Sequence, residues 1–404
     1  MTKHYVIVGG GVTAVHAAKA IRDQDAESEI SILGEESGLP YNRIKLTKGL
    51  FTDLHSEKVL IKKEKWYRDN RITVKTSTRI QSVHPERQTV ETEDGQCVEY
   101  HKLLLCMGAK NRALSIEGAG LANVHTIRGL SDADRLKDSL RDGSRVTVIG
   151  GGVQGIETAW ALHEAGHQVT VVEAAPSLMG RQLDSYSSDR LKQTLEQSGV
   201  KVMLQAGVSS IEGTDSVTGV ALKDGSSFPC DHVVYSIGIV PNTDLVNGSN
   251  IEVGQGIIVN EHLQTSDPNI YAAGDVAEYG GLVEGLWGGA IEQGKIAGSN
   301  MADTLTVYRR AVPVTLFNAF GSSLFAIGGT DERFCDRTVC GEENGAYTRI
   351  FVTDSIITGA ISWQGAAASL TYKAAIEQGT SLSGIQLDGR SITDIMAEVQ
   401  FRLN

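Results

Sequence analysis

The stretch YVIVGGGVTA at residues 5–14 returns in similar form as VTVIGGGVQG at residues 146–155. Each copy starts as an apolar run typical of a buried strand, turns at its glycines, and continues into a helix rich in small residues. The next apolar run is followed by an acid in each copy, Glu35 at 26 residues after Gly9 and Glu173 at 23 residues after Gly150. This duplicated order of strand, glycine turn, helix, strand and acid predicts an α/β protein with two Rossmann-like domains.

The glycine pattern has three positions, which are Gly9, Gly11 and Ala14 in the first copy and Gly150, Gly152 and Gly155 in the second. The first position permits a sharp turn, the second lets the backbone approach a pyrophosphate, and the third lets the helix pack closely on the strand. The phosphate then meets the helix N-terminus, where unpaired N–H groups and the helix dipole favour an anion. The alternative is two ordinary glycine-rich turns, which the duplication and the flanking elements disfavour.

The two acids indicate which nucleotide is preferred. A carboxylate at Glu35 or Glu173 can accept hydrogen bonds from a ribose 2′-hydroxyl, but it would repel a 2′-phosphate. The second site is therefore expected to favour NADH over NADPH. Arg181 lies eight residues after Glu173 and could meet a 2′-phosphate, which moderates that preference.

The composition limits the kind of protein. With 404 residues, the chain is long enough for more than one domain at about 100 to 200 residues each. Its 37 Lys and Arg against 49 Asp and Glu give a formal charge of −12, which disfavours nucleic acid and anionic membranes as partners. The cysteines are scattered without a Cys-x-x-Cys motif, so neither a metal site nor a disulfide framework is predicted. The sequence shows no signal peptide and no apolar run near the ~18 residues of a membrane span, so we expect a soluble cytoplasmic protein.

Two further regions follow the second copy. A strand-like run ends in Gly274-Asp275, where a carboxylate can accept hydrogen bonds from sugar hydroxyls, and Gly288-Gly289 precedes a helix predicted over residues 290–301. From about residue 305 strands alternate, with one helix near residues 366–378. This succession of strands with a single helix predicts a third unit of the α+β class.

Taken together, these motifs resemble those of the glutathione-reductase-like flavoproteins, which have two dinucleotide-binding domains, and the resemblance covers nearly the whole chain. It implies an FAD domain formed by residues 1–110 and 241–304, an NAD domain inserted at residues 111–240, and a C-terminal α+β domain at residues 305–404. Within this class, LPYNRIKLTK at residues 39–48 is similar to a stretch of the single-component rubredoxin and ferredoxin reductases. It is also similar to the N-terminal module of the nitrite reductase large subunit.

The resemblance also implies the residues of the site. The cofactor-binding residues would be Gly9, Gly11, Ala14, Glu35, Arg43, Lys48, Ile80, Gly108, Asp275, Trp287, Gly150, Gly152, Gly155, Glu173 and Gly238. Lys48 and Glu157 are the implied catalytic residues. Lys48 would lie near flavin N5 and stabilise the charge of the reduced ring, and Glu157 would face the nicotinamide and pair with Lys48. Alternatively, Lys48 is a solvated helix residue and Glu157 a charge on a helix surface. Trp287 either walls the flavin or fills a core.

The positions of the cysteines limit the redox reactions that the protein can catalyse. No cysteine lies between Gly9 and Lys48. Disulfide reductase chemistry is therefore disfavoured, and so is the peroxide chemistry that relies on a redox cysteine in this region. Cys335 and Cys340 are either a redox pair or two ordinary thiols.

Residues 43–75 are locally basic, with ten Lys or Arg against four acids in a chain of net charge −12. This stretch is either a docking site for an acidic electron carrier or a solvated surface whose counter-charges lie elsewhere. A docking site would steer the encounter and give an association rate that depends on salt.

The leading functional hypothesis is a cytoplasmic FAD-dependent reductase that takes hydride from NADH and passes electrons to a small redox protein such as rubredoxin or ferredoxin. NADPH is the less favoured donor. Two alternatives stay open, an NADH oxidase that reduces oxygen to hydrogen peroxide and a redox scaffold protein whose partner affinity responds to NADH. Self-association also stays open.

Overall fold

Each copy of the repeated pattern forms a parallel sheet of its own. The computed structural model describes residues 3–343, 345–365 and 368–403. The chain divides into two units. The first comprises Met1–Leu46, Thr52–Arg112 and Gly238–Arg310, and the second comprises Thr47–Phe51, Ala113–Ile237 and Ala311–Asn404. The finer division into FAD, NAD and C-terminal domains stays a prediction.

The helices and strands are numbered along the chain. The helices are α1 Val12–Gln24, α2 Lys45–Lys48, α3 Glu64–Asp69, α4 Leu130–Ser139, α5 Val153–Glu164, α6 Ser185–Gln197, α7 Trp287–Met301, α8 Ser369–Glu377 and α9 Ile392–Leu403. The strands are β1 His4–Val8, β2 Glu29–Leu33, β3 Ile72–Lys75, β4 Ile80–His84, β5 Thr89–Thr92, β6 Cys97–Glu99, β7 Lys102–Leu105, β8 Ala109–Asn111, β9 Val124–His125, β10 Arg145–Ile149, β11 Gln168–Val172, β12 Lys201–Met203, β13 Val208–Gly213, β14 Val217–Leu222, β15 Ser227–Pro229, β16 His232–Tyr235, β17 Ile239–Pro241, β18 Ile257–Val259, β19 Ile270–Ala272, β20 Ala277–Tyr279, β21 Val314–Ala319, β22 Ser322–Gly328, β23 Arg337–Glu343, β24 Ala346–Thr353 and β25 Ile356–Trp363.

The main sheet of the first unit is parallel, in the order β19-β7-β1-β2-β3. An uninterrupted apolar run is typical of a strand covered on both faces, and Tyr5, Val6 and Ile7 of β1 are fully buried. Because all the strands run the same way, the loops that follow them lie at one edge of the sheet. In sheets of this kind, ligands bind at that edge.

Helices α1 and α7 of the first unit pack with their backbones in contact. A Cβ on Gly294 or Gly298 of α7 would overlap the backbone of Thr13 or Ala17 of α1. Only glycine permits this approach at the two positions. The contact fixes α1, whose N-terminus follows the first glycine turn.

The second unit contains a parallel sheet in the order β12-β11-β10-β16-β9. It also contains an antiparallel sheet in the order β21-β22-β25-β24-β23. Helices α8 and α9 pack on this second sheet through a core that includes Phe325, Tyr372 and Val399. The predicted fold class, two Rossmann-like domains and a C-terminal α+β domain, is confirmed.

Two predicted helices differ at their ends. The helix predicted over residues 290–301 begins at Trp287, so Gly288 and Gly289 lie inside its first turn. The helix predicted near residues 366–378 is observed at Ser369–Glu377, and residues 366 and 367 lie outside the described residues. Among the helices that the structure describes, none combines the length and the apolar character needed to cross a bilayer.

Candidate functional site

The first glycine turn lies at the carboxyl end of β1. Gly9 has a φ of +125°, and a Cβ there would overlap the carbonyl oxygen of Cys106, so glycine is required at this position. Gly11 is the N-cap of α1, and apart from its neighbours in the chain no heavy atom of the described residues lies within 4 Å of the position that its Cβ would take. Since glycine has no side chain to cap the helix, the first-turn N–H groups of α1 are available to an anion.

Other predicted site residues lie around the same sheet. Gly108 follows β7 with a φ of +69°, and half-buried Asp275 follows β19. Exposed Glu35 follows β2, and its Oε1 lies 3.7 Å from Nε of exposed Arg79, a surface pair that contributes little to stability. The sheet thus brings Gly9, Glu35, Gly108 and Asp275 to one edge.

Arg43 is held by two neighbours that the sequence did not single out. Its guanidinium forms an ion pair with Glu36 and donates a 3.0 Å hydrogen bond to the Tyr41 hydroxyl. The Tyr41 hydroxyl in turn donates to Glu36 at 2.7 Å. Burial lowers the pKa of Arg43, but the charges of Tyr41, Glu36 and Asp275 outweigh burial and leave the pKa above its ordinary value. Arg43 is therefore a fixed cation. Its partners Glu36 and Tyr41 lie within seven positions of it in the sequence, and this closeness could have identified them.

The remaining predicted residues of the first unit are dispersed. Ile80 begins β4 and belongs to the core of this unit. Trp287 begins α7 and is half-buried. Gly238 has a φ of +103°, and its carbonyl accepts a 2.9 Å hydrogen bond from the Arg112 N–H.

The second glycine turn repeats the geometry of the first. Gly150 has a φ of +114°, and a Cβ there would overlap the Ser236 carbonyl. A Cβ on Gly155 would overlap the Gly150 carbonyl, so α5 packs against the turn itself. Gly152 is the N-cap of α5, and within the described residues nothing lies within 4 Å of its Cβ position. This turn also has room for a phosphate at a helix N-terminus.

Glu173 lies against this turn. Its Oε2 accepts a 2.6 Å hydrogen bond from the Gly151 N–H, and its Oε1 accepts a 2.7 Å hydrogen bond from the Ala175 N–H. The acid that the sequence predicted after the strand therefore lies beside Gly150–Gly152, with both of its oxygens bonded to backbone N–H groups.

Lys48 and Glu157 lie together in the second unit. Lys48 Nζ is 3.3 Å from Glu157 Oε1, and the side chain of Glu157 is only 9% exposed. Burial raises the pKa of Glu157, while Lys48 and the Thr47 hydroxyl lower it without cancelling the effect of burial. Thr47 Oγ1 donates a 2.9 Å hydrogen bond to Glu157 Oε2. Glu157 is therefore a buried carboxylate with a cation on one oxygen and a hydroxyl on the other. The sequence did not indicate Thr47.

The five cysteines, all within the described residues, are free thiols. Cys335 ends a short 3₁₀ turn and Cys340 lies on β23. In the described ranges, no cluster of His, Cys, Asp and Glu has the arrangement of a metal site. The basic stretch at residues 43–75 places Lys58, Lys65 and Arg68 on the surface of the first unit.

Comparison with known proteins gives one consistent group of relatives. A family model described as pyridine nucleotide-disulphide oxidoreductase matches residues 3–297, and one described as rubredoxin NAD+ reductase C-terminal domain matches residues 313–380. Nitrite reductase (NAD(P)H) of Bacillus subtilis (strain 168) is 35% identical over 363 residues, which are 89% of this chain and 45% of that protein. Rubredoxin-NAD(+) reductase of Pseudomonas putida is 35% identical over 313 residues, 74% of this chain and 80% of that protein.

A solved ferredoxin reductase from Rhodopseudomonas palustris superposes with a TM-score of 0.86 at 26% identity, over 95% of this chain and 98% of that one. The chain spans about half the length of the Bacillus subtilis nitrite reductase and most of the length of the other two relatives.

Proposed function

Because the chain belongs to the pyridine nucleotide-disulphide oxidoreductase family, we propose that it is an FAD-dependent NADH reductase that passes electrons to a small redox protein of the rubredoxin or ferredoxin type. The observation that carries this proposal is the presence, in one chain, of matches to the family model and to the rubredoxin reductase C-terminal domain. Rubredoxin-NAD(+) reductase of Pseudomonas putida, 35% identical over 80% of its own length, supports it.

The residues of the first unit fit FAD. Gly11 is open at the N-terminus of α1, where an anion can accept hydrogen bonds from free N–H groups. Asp275 would accept hydrogen bonds from sugar-chain hydroxyls, and Glu35 from the adenosine ribose. Arg43, held by Glu36 and Tyr41, would supply a fixed positive charge. Ala14, Ile80, Gly108 and Trp287 complete the set proposed for FAD, and Gly238 belongs to the range proposed for NADH.

The second unit fits NADH. Gly152 at the N-terminus of α5 leaves space for the pyrophosphate, and Gly150 and Gly155 give the turn its close packing. The Glu173 carboxylate would accept a hydrogen bond from a ribose 2′-hydroxyl and repel a 2′-phosphate, so NADPH is the weaker donor.

Bound FAD would accept two electrons as hydride and release them singly, which suits an iron-containing acceptor. Lys48 is proposed to stabilise the negative charge that follows reduction, since an ammonium group beside the reduced ring would favour that charge. Glu157 would hold Lys48 in place through the 3.3 Å ion pair. Thr47 would fix the Glu157 carboxylate through its hydrogen bond.

The acceptor is proposed to be acidic because residues 43–75 expose several cations that can steer its approach. The lack of a cysteine between Gly9 and Lys48 argues against a disulfide substrate. A reducing, cytoplasmic location is proposed from the free thiols. FAD would be bound by residues 1–110 and 241–304, NADH by residues 111–240, and residues 305–404 would form the C-terminal domain.

The test is anaerobic reduction of the FAD-loaded protein by NADH, followed by oxidised rubredoxin, ferredoxin and, separately, oxygen. Bleaching by NADH and fast reoxidation by a carrier are expected. Reoxidation by oxygen alone would favour an NADH oxidase, and slow reoxidation by every acceptor would favour a redox scaffold. Failure of NADH to bleach the protein would overturn the proposal.

A further inference from the structure

A turn-rich segment, residues 174–184, connects β11 to α6 in the second unit. It follows directly on Glu173, and it contains exposed Arg181. The segment therefore contains Arg181 and adjoins Glu173, the two groups that would distinguish a ribose 2′-hydroxyl from a 2′-phosphate.

The middle of the segment lies on the second glycine turn. The Met179 N–H donates a 2.8 Å hydrogen bond to the Gly151 carbonyl, and the Gly151 N–H donates to Glu173 at 2.6 Å. A Cβ on Gly151 would lie 2.7 Å from Leu178 Cδ2. The segment and the turn thus share a packed interface, and a shift of the segment moves the surroundings of Glu173.

The far end of the segment is bonded to the antiparallel sheet of the same unit. The Gln182 carbonyl accepts a 3.0 Å hydrogen bond from Thr330 Oγ1. The side chain of Asp184 is fully buried, and its Oδ2 accepts a 2.8 Å hydrogen bond from Arg349 Nη1 on β24. Asp184 is also the N-cap of α6, accepting a 2.8 Å hydrogen bond from the Ser187 N–H.

Arg349 is itself rigidly held. Its guanidinium lies 2.7 Å from Glu332 and donates to Thr338 Oγ1 at 3.0 Å, and only 15% of its side chain is exposed. A buried carboxylate that loses its cation is strongly disfavoured. The ion pair between Asp184 and Arg349 therefore holds the end of the 174–184 segment at one position on the sheet.

We propose that Arg349 is a positioning residue for the nicotinamide nucleotide: through Asp184 it holds the 174–184 segment on the second glycine turn, and so sets the affinity for NADH and its discrimination from NADPH. This inference rests on the proposed function. Without the pair, the segment samples more positions, so Glu173 meets the ribose 2′-hydroxyl less often and repels a 2′-phosphate less effectively. The C-terminal sheet thereby acts on nucleotide selection through the segment.

The test compares Arg349→Gln, Arg349→Lys and Asp184→Asn with a matched control. Asparagine still caps α6 but removes the charge, so Asp184→Asn keeps the test valid if Arg349→Gln fails to fold. The control is Arg337→Gln. Arg337 lies on β23 of the same sheet, and its Nη2 is 2.5 Å from Oδ1 of Asp388 in an exposed ion pair. Hydrogen–deuterium exchange of peptides covering residues 174–184 is measured without ligand. NAD+ binding is measured by calorimetry, and steady-state constants are measured with NADH and NADPH.

In Arg349→Gln and Asp184→Asn we expect faster exchange in residues 174–184, NAD+ binding weakened roughly 2- to 30-fold, and a matching rise of KM for NADH with kcat nearly unchanged. The preference for NADH over NADPH should fall, and Arg349→Lys should restore part of each effect. Arg337→Gln should match the wild type in all of them.

Exchange and NAD+ binding equal to those of Arg337→Gln would overturn the inference while leaving the proposed function intact. A wild-type protein that neither binds NAD+ nor is reduced by NADH would instead overturn the proposed function, and the inference with it. A loss confined to kcat would also overturn the inference, since a positioning role through the nucleotide appears in KM.

Discussion

Thr47 Oγ1 donates a 2.9 Å hydrogen bond to Oε2 of Glu157, from 110 positions away in the sequence. The bond fixes the carboxylate so that Oε1 faces Lys48 Nζ at 3.3 Å. A buried carboxylate held by one hydroxyl and one ammonium is sensitive to the loss of either, because few other donors are available to it.

Thr47→Val should slow the reduction of bound FAD by NADH about 3- to 10-fold, since the ion pair loses its orientation. The pKa of Glu157 should rise further, because a hydrogen bond to its charged form is lost. Anaerobic stopped-flow measurement across pH checks both effects. Thr47→Ser should restore the rate, and Thr73→Val, on an exposed position of β3, is the control. An unchanged rate in Thr47→Val would show that Thr47 does not orient the pair.

Glu157→Gln should make stability less dependent on pH. Because burial raises the pKa of Glu157 in the folded state, its folding contribution is fully present below the unfolded pKa and is lost as pH rises through the folded pKa. Glutamine does not ionise, so the stability of the variant relative to the wild type should increase as the pH rises above 4.5, the ordinary pKa of a glutamate. Urea unfolding at several pH values measures this gain, and a parallel pH dependence in both proteins would contradict it.

Gly152→Ala should weaken NAD+ binding at least tenfold with little loss of stability. Apart from its neighbours in the chain, no atom of the described residues lies within 4 Å of the added methyl group, so the substitution obstructs only a ligand that approaches the turn. Gly11→Ala should likewise lower the FAD content, which the ratio of visible to ultraviolet absorbance reports. Gly120→Ala, which also adds a methyl group in open space, is the matched control. Full FAD content in Gly11→Ala would remove that turn from the flavin site.

The paired substitution Lys58→Glu and Lys65→Glu should lower the association rate with an acidic carrier about 10-fold at low salt. Both side chains are exposed on the first unit, and raising the ionic strength should narrow the difference between variant and wild type. Turnover with rubredoxin or ferredoxin from 10 mM to 500 mM salt tests this, with ferricyanide as an acceptor that needs no docking. Lys223→Glu, an exposed charge reversal in the second unit, is the control. Rates that do not respond to salt would remove the docking role of residues 43–75.

The two parallel sheets could be predicted from the sequence, because each glycine turn depends on residues that are close together in the chain. Gly9 and Gly150 adopt a positive φ against a neighbouring strand, and that constraint appears in a short window. The predicted start of α7 at residue 290 was wrong, because the prediction kept the two preceding glycines out of the helix on the ground that glycine is a poor helix former. Gly289 lies in the helix nevertheless, at a position where a Cβ would overlap the Glu284 carboxylate.

The long-range partners could not be predicted. Asp184 and Arg349 are 165 positions apart, and nothing local to either one marks the other as its partner. Thr47 was missed for the same reason, although the stretch that contains it was singled out. Such pairs depend on how distant elements pack, which periodicity and motif spacing do not report.

The close packing of Gly294 and Gly298 against α1 affects the order in which parts of the chain can fold during synthesis. When residue 112 leaves the ribosome, β19 and α7 of the first unit are still to be made, and Ala113–Ile237 must emerge before them. The parallel sheet of the second unit can pair completely in that interval, while α1 still lacks the helix that covers it. Translation speed through residues 238–301 should therefore govern how long the unfinished first unit stays exposed to chaperones and proteases.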